Sequence, residues 1–291
     1  RANHAVALTK PLDLPPVDLP IDPYVLGVWL GDGNSRAPQI TTADPEIVEL
    51  VLAAGYPCRK IVGLYRYSLA SPRDRSGGRT RATGLGVELQ ALDLIRNKHI
   101  PESYARASES QRWALLQGLM DTDGTVNKTG RCMFAVTSRR LAEDARELIH
   151  SLGIKAHMAT KVVKGRTAES STCYSVGFST SEPVFRLSRK RERQTHRTRP
   201  TTRQRMILNA RPVASVPVRC VEVDNPEHMY LATCSMIPTH NSIVGTNLAL
   251  HFAHFHGHAV LLSSMEMPEI EVGQRMLAAH AGVNLTGLQM G

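Results

Sequence analysis

Three short stretches hold side chains whose types and order can break covalent bonds. In Thr239-His240-Asn241-Ser242, the Asn241 side-chain amide can attack its own carbonyl carbon, forming a succinimide and releasing the chain that begins at Ser242. The step needs a held geometry and a proton donor, and an adjacent imidazole such as His240 suits that role near neutral pH. The other two stretches share one pattern. Tyr24-Val25-Leu26-Gly27-Val28-Trp29-Leu30-Gly31-Asp32-Gly33 and Leu115-Leu116-Gln117-Gly118-Leu119-Met120-Asp121-Thr122-Asp123-Gly124 each read as an apolar helix with an internal glycine, ended by Asp-Gly. Glycine accepts the left-handed backbone that commonly ends a helix, so both helices are expected to stop there. That leaves Asp32 and Asp123 at carboxyl ends, where the helix dipole disfavours negative charge by about 0.3–1 kcal/mol. If Gly27 and Gly118 let the helices come closer than the usual ~8–10 Å, the carboxylates converge into an oxygen site suited to Mg²⁺. Sites of this kind serve the displacement of a phosphodiester by water.

The elements that must position these groups are repeated. After the first motif, Gln39-Ile40-Thr41-Thr42 reads as a strand, Asp44-Pro45-Glu46 opens a helix through Val51 and Ala54, and Val62 to Ser68 reads as a strand. After the second, Met133 to Thr137 reads as a strand. Ser138 then caps a helix from Arg140 to Leu152 that Gly153 ends, and Tyr174 to Phe178 reads as a further strand. The repetition indicates an internal duplication. Two strand-rich halves related by a pseudo-two-fold axis would present two curved sheets to a duplex, and sheets lined by Arg and Lys can read a major groove.

Composition supports that partner. The chain has 291 residues, 42% hydrophobic and 21% charged, enough for two or more domains. The net charge is +9, and the basic excess is concentrated between Arg186 and Arg211, around Ser188-Arg189-Lys190-Arg191-Glu192-Arg193. Such a run suits phosphate contacts. Aromatic residues make up only 5%, which disfavours stacking on single strands and leaves double-stranded DNA. Five cysteines without a Cys-x-x-Cys spacing argue against a disulfide framework or a zinc site, and point to a reducing, cytoplasmic setting. His4, His157 and His196 show no metal-ligand spacing. No apolar run approaches the roughly 20 residues of a membrane span. Beginning at Arg1 without Met or leader, the chain is expected to be a piece of a longer polypeptide.

With these residues in view, the chain resembles the LAGLIDADG homing endonucleases, with both dodecapeptide motifs present. The second copy, Leu116 to Gly124, is close to the family pattern; the first departs at Leu30, where the family has an acidic residue, but keeps Asp32. The resemblance implies an α+β fold of two αββαββα-like halves, with Asp32 and Asp123 as Mg²⁺ ligands and catalytic groups. Asn97-Lys98-His99-Ile100-Pro101 resembles the Lys-x-Ile-Pro block of intein endonucleases, which implies an active-centre role for Lys98. Lys190 is a possible counterpart in the second half, in surroundings too basic to single it out.

Val218 to Ala232 reads as a short strand, an Asp224-Asn225-Pro226 turn and a second strand. Leading into His240-Asn241, it resembles the carboxyl end of an intein. That likeness implies cyclisation of Asn241 assisted by His240 and His228, with Ser242 the first residue of the host. Cys220 together with Thr239 resembles the class 3 inteins, in which an internal cysteine is the first nucleophile. Beyond Ser242, Ile243 to His258 reads as a helix, Ala259 to Ser264 as a buried strand and Pro268 to Ala281 as a helix, an α/β pattern. Ser264-Met265-Glu266-Met267 resembles bacterial replicative helicases of the DnaB type. There Glu266 would activate water, and Ser242 would hold Mg²⁺ in an ATP site formed only in the spliced host, a homo-hexamer. The expected organisation is 1–20 as a remnant of the all-β Hint splicing domain and linker, and 21–211 as endonuclease, with halves about 21–112 and 113–211. It continues with 212–241 as splicing segment and 242–291 as RecA-like helicase fragment. An amino-terminal intein segment would be a required partner. The other reading is a DNA-binding protein of LAGLIDADG descent without cleavage.

Overall fold

The Asp22 carboxylate starts the first long helix by accepting from Tyr24 N (2.9 Å) and Val25 N (3.1 Å), and Pro23 at the first helical position has no N–H to lose. The computed structural model describes residues 5–72, 84–164, 170–194, 203–209, 214, 223–224, 229–239, 250, 253–262 and 268–281. In chain order its elements begin β1 (Ala5–Ala7), α1 (Pro23–Asp32), β2 (Gln39–Thr41), α2 (Pro45–Ala53), β3 (Cys58–Lys60), β4 (Arg66–Leu69), α3 (Leu85–Ala91) and α4 (Glu102–Ala105). They continue with α5 (Glu109–Asp123), β5 (Gly124–Val126), β6 (Cys132–Val136), α6 (Arg139–Ser151), β7 (Ala156–Lys164), β8 (Ser170–Phe178), α7 (Ser188–Arg191) and β9 (Gln204–Met206). Last come β10 (Tyr230–Ala232), β11 (Ile237–Thr239) and a final helix, α8 (Glu269–Ala281). The fold is mixed α+β.

Two units make up the chain, Arg1–Leu208 with Cys234–Met236, and Asn209–Thr233 with Ile237–Gly291. At the centre of the first, α1 is buried from Tyr24 to Leu30, as an all-round apolar helix must be. Its partner α5 begins with a capping box, Gln111 N donating to Ser108 Oγ (3.4 Å) and Ser108 N to Gln111 Oε1 (3.2 Å). Two antiparallel sheets flank the pair, in the orders β2-β4-β3 and β5-β6-β8-β7. Ile40, Leu69, Phe134 and Val176 from these sheets join Ile47 and Val51 of α2 and Leu141, Leu148 and Ile149 of α6 in one continuous core.

The amino-terminal segment is tied to the same unit. β1 pairs antiparallel with β9, Ala5 opposite Met206. Further on, the Arg112 guanidinium, fully buried, donates to Ala107 O (2.9 Å), Ser151 O (2.6 Å), Ser151 Oγ (2.7 Å) and Leu12 O. Four acceptors around a buried cation replace the water it has lost. In the same unit His150 sits 2.8 Å from Cys234 O, and Arg205 donates to Ser235 O at 3.0 Å.

Several expectations change. Gly33 and Gly124 are extended (φ −76°, ψ 150° and φ −82°, ψ 146°), not left-handed. Glycine is needed there for space, because a Cβ would lie 2.1 Å from Trp29 O or 2.3 Å from Met120 O. The strand expected over Val62–Ser68 is instead a hairpin of β3 and β4; its turn holds Gly63 at φ 118° and Tyr65 at φ 62°, with Val62 exposed. β7, the longest partner of β8, has no counterpart in the sequence reading. In the second unit, β10 pairs with β11, Leu231 opposite Pro238; the expected partner over 218–222 lies outside the described residues. Ala259–Leu262 form no strand, and Leu261 is 95% exposed, since no described strand pairs with them. Among the described residues, neither a Hint remnant nor a RecA-like sheet is seen. Among the described residues, no helix is long and apolar enough to cross a membrane.

Candidate active site

The crossing of α1 and α5 is set by two glycines. A Cβ on Gly27 would meet Leu115 O at 2.4 Å and Gly118 Cα at 2.9 Å; one on Gly118 would meet Tyr24 O at 2.2 Å and Gly27 Cα at 2.9 Å. Backbone thus touches backbone, closer than side-chain-mediated packing permits. One turn on, a Cβ on Gly31 would lie 2.0 Å from Thr122 Oγ1 and 3.5 Å from Asp123 Oδ2. The two helix ends, with Asp32 and Asp123 as their last residues, therefore lie side by side.

This geometry governs the charges. Burial, and next the charge of Asp123, push the Asp32 carboxyl up to about 6, against the pull of Lys190 and Lys98. Burial also raises Asp123, opposed by the same two lysines. Each lysine is itself lowered to about 8 by burial and held up by both aspartates. Lys98 Nζ donates to Gly31 O (3.1 Å) and Gly33 O (2.7 Å), and lies over the Trp29 ring at 5.2 Å. Lys190 Nζ donates to Met120 O (2.9 Å), Asp121 O (2.6 Å), Thr122 O (3.1 Å) and Gly124 O (2.7 Å). Each ammonium caps the unpaired carbonyls at the negative end of one helix, which explains how a carboxylate is tolerated there.

Each lysine is placed by the opposite half. The loop of Lys98 is held by α6, where Ile100 N donates to Asp144 Oδ2 (3.0 Å) and Arg140 Nη1 to Asn97 Oδ1 (3.0 Å). The helix of Lys190 is held by the start of α2, where Glu46 accepts from Ser188 N (3.1 Å) and Ser188 Oγ (2.7 Å), and Asp44 pairs with Arg189 at 2.7 Å. Asp121, 1% exposed, adds a third anchor: it accepts from Tyr24 Oη (2.9 Å), Arg186 N (3.0 Å) and Leu187 N (3.1 Å). Lys190, Asp121, Glu46 and Asp144 were not singled out from sequence. One signal was available for the first of them: Lys98 follows Gly33 by 65 residues and Lys190 follows Gly124 by 66.

Of the other residues with expected roles, Thr239 ends β11. Cys220, His228, His240, Asn241, Ser242 and Glu266 lie outside the described residues.

Residues 110–212 match the family described as LAGLIDADG-like domain. Along its whole length the chain is 41% identical, over 294 residues, to a replicative DNA helicase DnaB of Mycobacterium intracellulare, 47% of which it covers. A shorter stretch of 85 residues, 29% of the chain, is 44% identical to the replicative DNA helicase DnaB of Mycobacterium leprae, covering 14% of that protein. The chain thus spans about half the length of the first relative and less of the second. Among solved structures, mesophilic variants of the homing endonuclease I-DmoI align with a TM-score of 0.37 at 15% identity, over 59% of this chain and 94% of that one. I-DmoI in complex with DNA and Mn aligns with a TM-score of 0.34 at 15% identity, over 54% and 88%.

The matched stretch holds Asp121, Asp123 and Lys190, whereas α1, Asp32 and Lys98 precede it. The two lysines differ in what they have left to give. An ammonium carries three N–H groups. Among the described residues Lys190 meets four carbonyls and has no N–H to spare, whereas Lys98 meets two and keeps one. Lys190→Met is therefore expected to cost about 1.5–3 kcal/mol by stranding buried carbonyls, and Lys98→Met clearly less. Thermal melting of the two variants checks the order; a larger loss for Lys98→Met would contradict it.

Proposed function

We propose that residues 21–211 are a site-specific, Mg²⁺-dependent endonuclease of double-stranded DNA, carried by an intein whose carboxyl-terminal splicing segment is 212–241. The observation that carries the nuclease reading is that the glycine-set crossing brings the helix ends bearing Asp32 and Asp123 side by side, where burial raises both carboxyls and the charge of Asp123 raises Asp32 further. Two hard carboxylate oxygen donors fit Mg²⁺. No third His, Cys, Asp or Glu joins them among the described residues, so water and phosphate oxygens would complete the shell. When bound, such a cation supplies charge to the attacking and leaving oxygens of a displaced phosphodiester. Asp32 and Asp123 would hold it. Lys98, with one N–H unclaimed among the described residues, donates to a phosphate oxygen or orients the attacking water. Lys190 fixes the end of α5 and so the direction of Asp123.

The splicing and host assignments rest on sequence and on the 41% identity to a DnaB helicase. In this reading Cys220 is the first nucleophile, Asn241 cyclises with help from His240 and His228, and Thr239 precedes the scission pair. Ser242 begins the helicase from 242 on. ATP with Mg²⁺ belongs only to the spliced host, where Ser242 and Glu266 enter its site and the product assembles as a homo-hexamer. Residues 1–20 are the remnant of the Hint domain, completed by an amino-terminal intein segment, all in the cytoplasm.

The test is the full chain with Mg²⁺ and a duplex carrying the uninterrupted helicase coding sequence. Cleavage of both strands at one place is the expected result. Specific retention of that duplex without cleavage would favour a DNA-binding protein instead, and neither retention nor cleavage would end the nuclease reading.

A further inference from the structure

β5, β6, β8 and β7 run side by side, and their registers set Thr125, Met133, Gly177 and His157 in one row and Ala135, Ser175 and Ala159 in the next. Cys132, Phe134, Val176 and Phe178, at the alternate positions, lie in the core. The rows therefore form the outer face of the sheet, as Met133 at 43% exposure and the exposed His157 show. None of the four strands holds an acidic residue. The middle of this face is low, made of Gly177, Ser175 and two alanines.

Arg131 lies across it. Its backbone is fixed at the base of a tight turn, Arg131 N donating to Asn127 Oδ1 (2.9 Å) and Asn127 N to Arg131 O (3.0 Å), with Gly130 at φ 77°. The side chain passes over β8: a Cβ on Gly177 would stand 2.8 Å from Arg131 Nη2 and 3.2 Å from Nε. It ends on β7, with Nη2 3.1 Å from Nδ1 and 2.5 Å from Nε2 of His157. Gly177 is buried on an outward face because this arm covers it.

We propose that Arg131, laid across Gly177 and steadied by His157, reads a guanine of the bound duplex through its O6 and N7 atoms. The proposal rests on the reading of the chain as a duplex-DNA endonuclease. A guanidinium fork matches that base edge, which only the major groove presents. With five N–H groups, Arg131 can meet His157 and still offer a bidentate edge. The slot over Gly177 also removes beforehand much of the freedom that a long side chain loses on binding. A phosphate contact would need no such fixed platform.

The test is selection of the full chain on a randomised duplex library in EDTA, which prevents hydrolysis. The wild-type chain should enrich a site with one guanine whose preference falls about tenfold or more in Arg131→Ala, other positions being unchanged. Gly177→Ala, whose methyl would meet only side-chain atoms, those of Arg131 and His157, should lose the same guanine, and Arg131→Lys should not restore it. An unchanged site in Arg131→Ala, or a uniform weakening with the same base pattern, would overturn the proposal. A wild-type chain that enriches no sequence would sink the endonuclease reading itself and this proposal with it.

Discussion

Exchanging Asp123 for Asn is expected to slow duplex cleavage roughly a thousandfold or more, because the loss of a cation ligand removes several kcal/mol at about 1.36 kcal/mol per tenfold. Asp32→Asn should do the same, since neither carboxylate alone makes the pair. Duplex affinity should persist in both, as the outer sheet faces and the basic surface are untouched. The stability change runs the other way from activity. Asp32 is already pushed up to about 6 by burial and by Asp123, so a neutral amide of the same shape relieves both burdens and the melting temperature should not fall. Single-turnover cleavage of end-labelled duplex, with anisotropy for binding, reads the two effects separately. Undiminished cleavage by Asp123→Asn would remove that residue from the chemistry.

Gly118→Ala carries the second large effect. In an exposed helix interior this change gains up to about 1 kcal/mol of propensity. Here the new methyl would stand 2.2 Å from Tyr24 O and 2.9 Å from Gly27 Cα, and backbone cannot move aside by changing rotamer. The helices must part, at a cost of roughly 3 kcal/mol, at the upper end of overpacking, so the clash wins by about 2 kcal/mol. At about 2–4 °C per kcal/mol for a unit of this size, the melting temperature should fall by about 4–8 °C. Gly273→Ala in α8, with nothing among the described residues within 4 Å of the added Cβ, is the control and should be neutral or stabilising. A stable Gly118→Ala would mean that the helices do not cross at that residue.

How much of this was legible in the sequence depends on whether the signal is local. Two helix starts were, because Asp44-Pro45 and Ser138 are caps whose partners lie within three residues, whereas the Asp22-Pro23 start of α1 was passed over. The close crossing was legible too, because a glycine in mid-helix has few other uses, and the expected convergence of Asp32 and Asp123 follows from it. The turn between β3 and β4 was not, because Tyr65 takes a positive φ that its residue type does not announce. The lysine anchors were hidden for a different reason. Glu46 meets Ser188 across 142 residues and Asp121 meets Arg186 across 65, and no pattern in either stretch predicts its partner. Lys190 was obscured by neighbouring charge: beside Arg189, Arg191 and Arg193 it is set apart by its burial, which sequence does not show, and by its spacing from Gly124, which was overlooked.

The joint action of the two acidic helix ends is tested most directly by a double-mutant cycle on Mn²⁺ binding, followed by the electron paramagnetic resonance of the free ion. The full chain would be bound to a duplex carrying the uninterrupted helicase coding sequence. If Asp32 and Asp123 share one cation, Asp32→Asn and Asp123→Asn should each lose nearly as much affinity as the double variant, a coupling of about 0.5–3 kcal/mol between residues in contact. Losses that simply add, or single variants that bind Mn²⁺ as the wild-type chain does, would show that the carboxylates act apart.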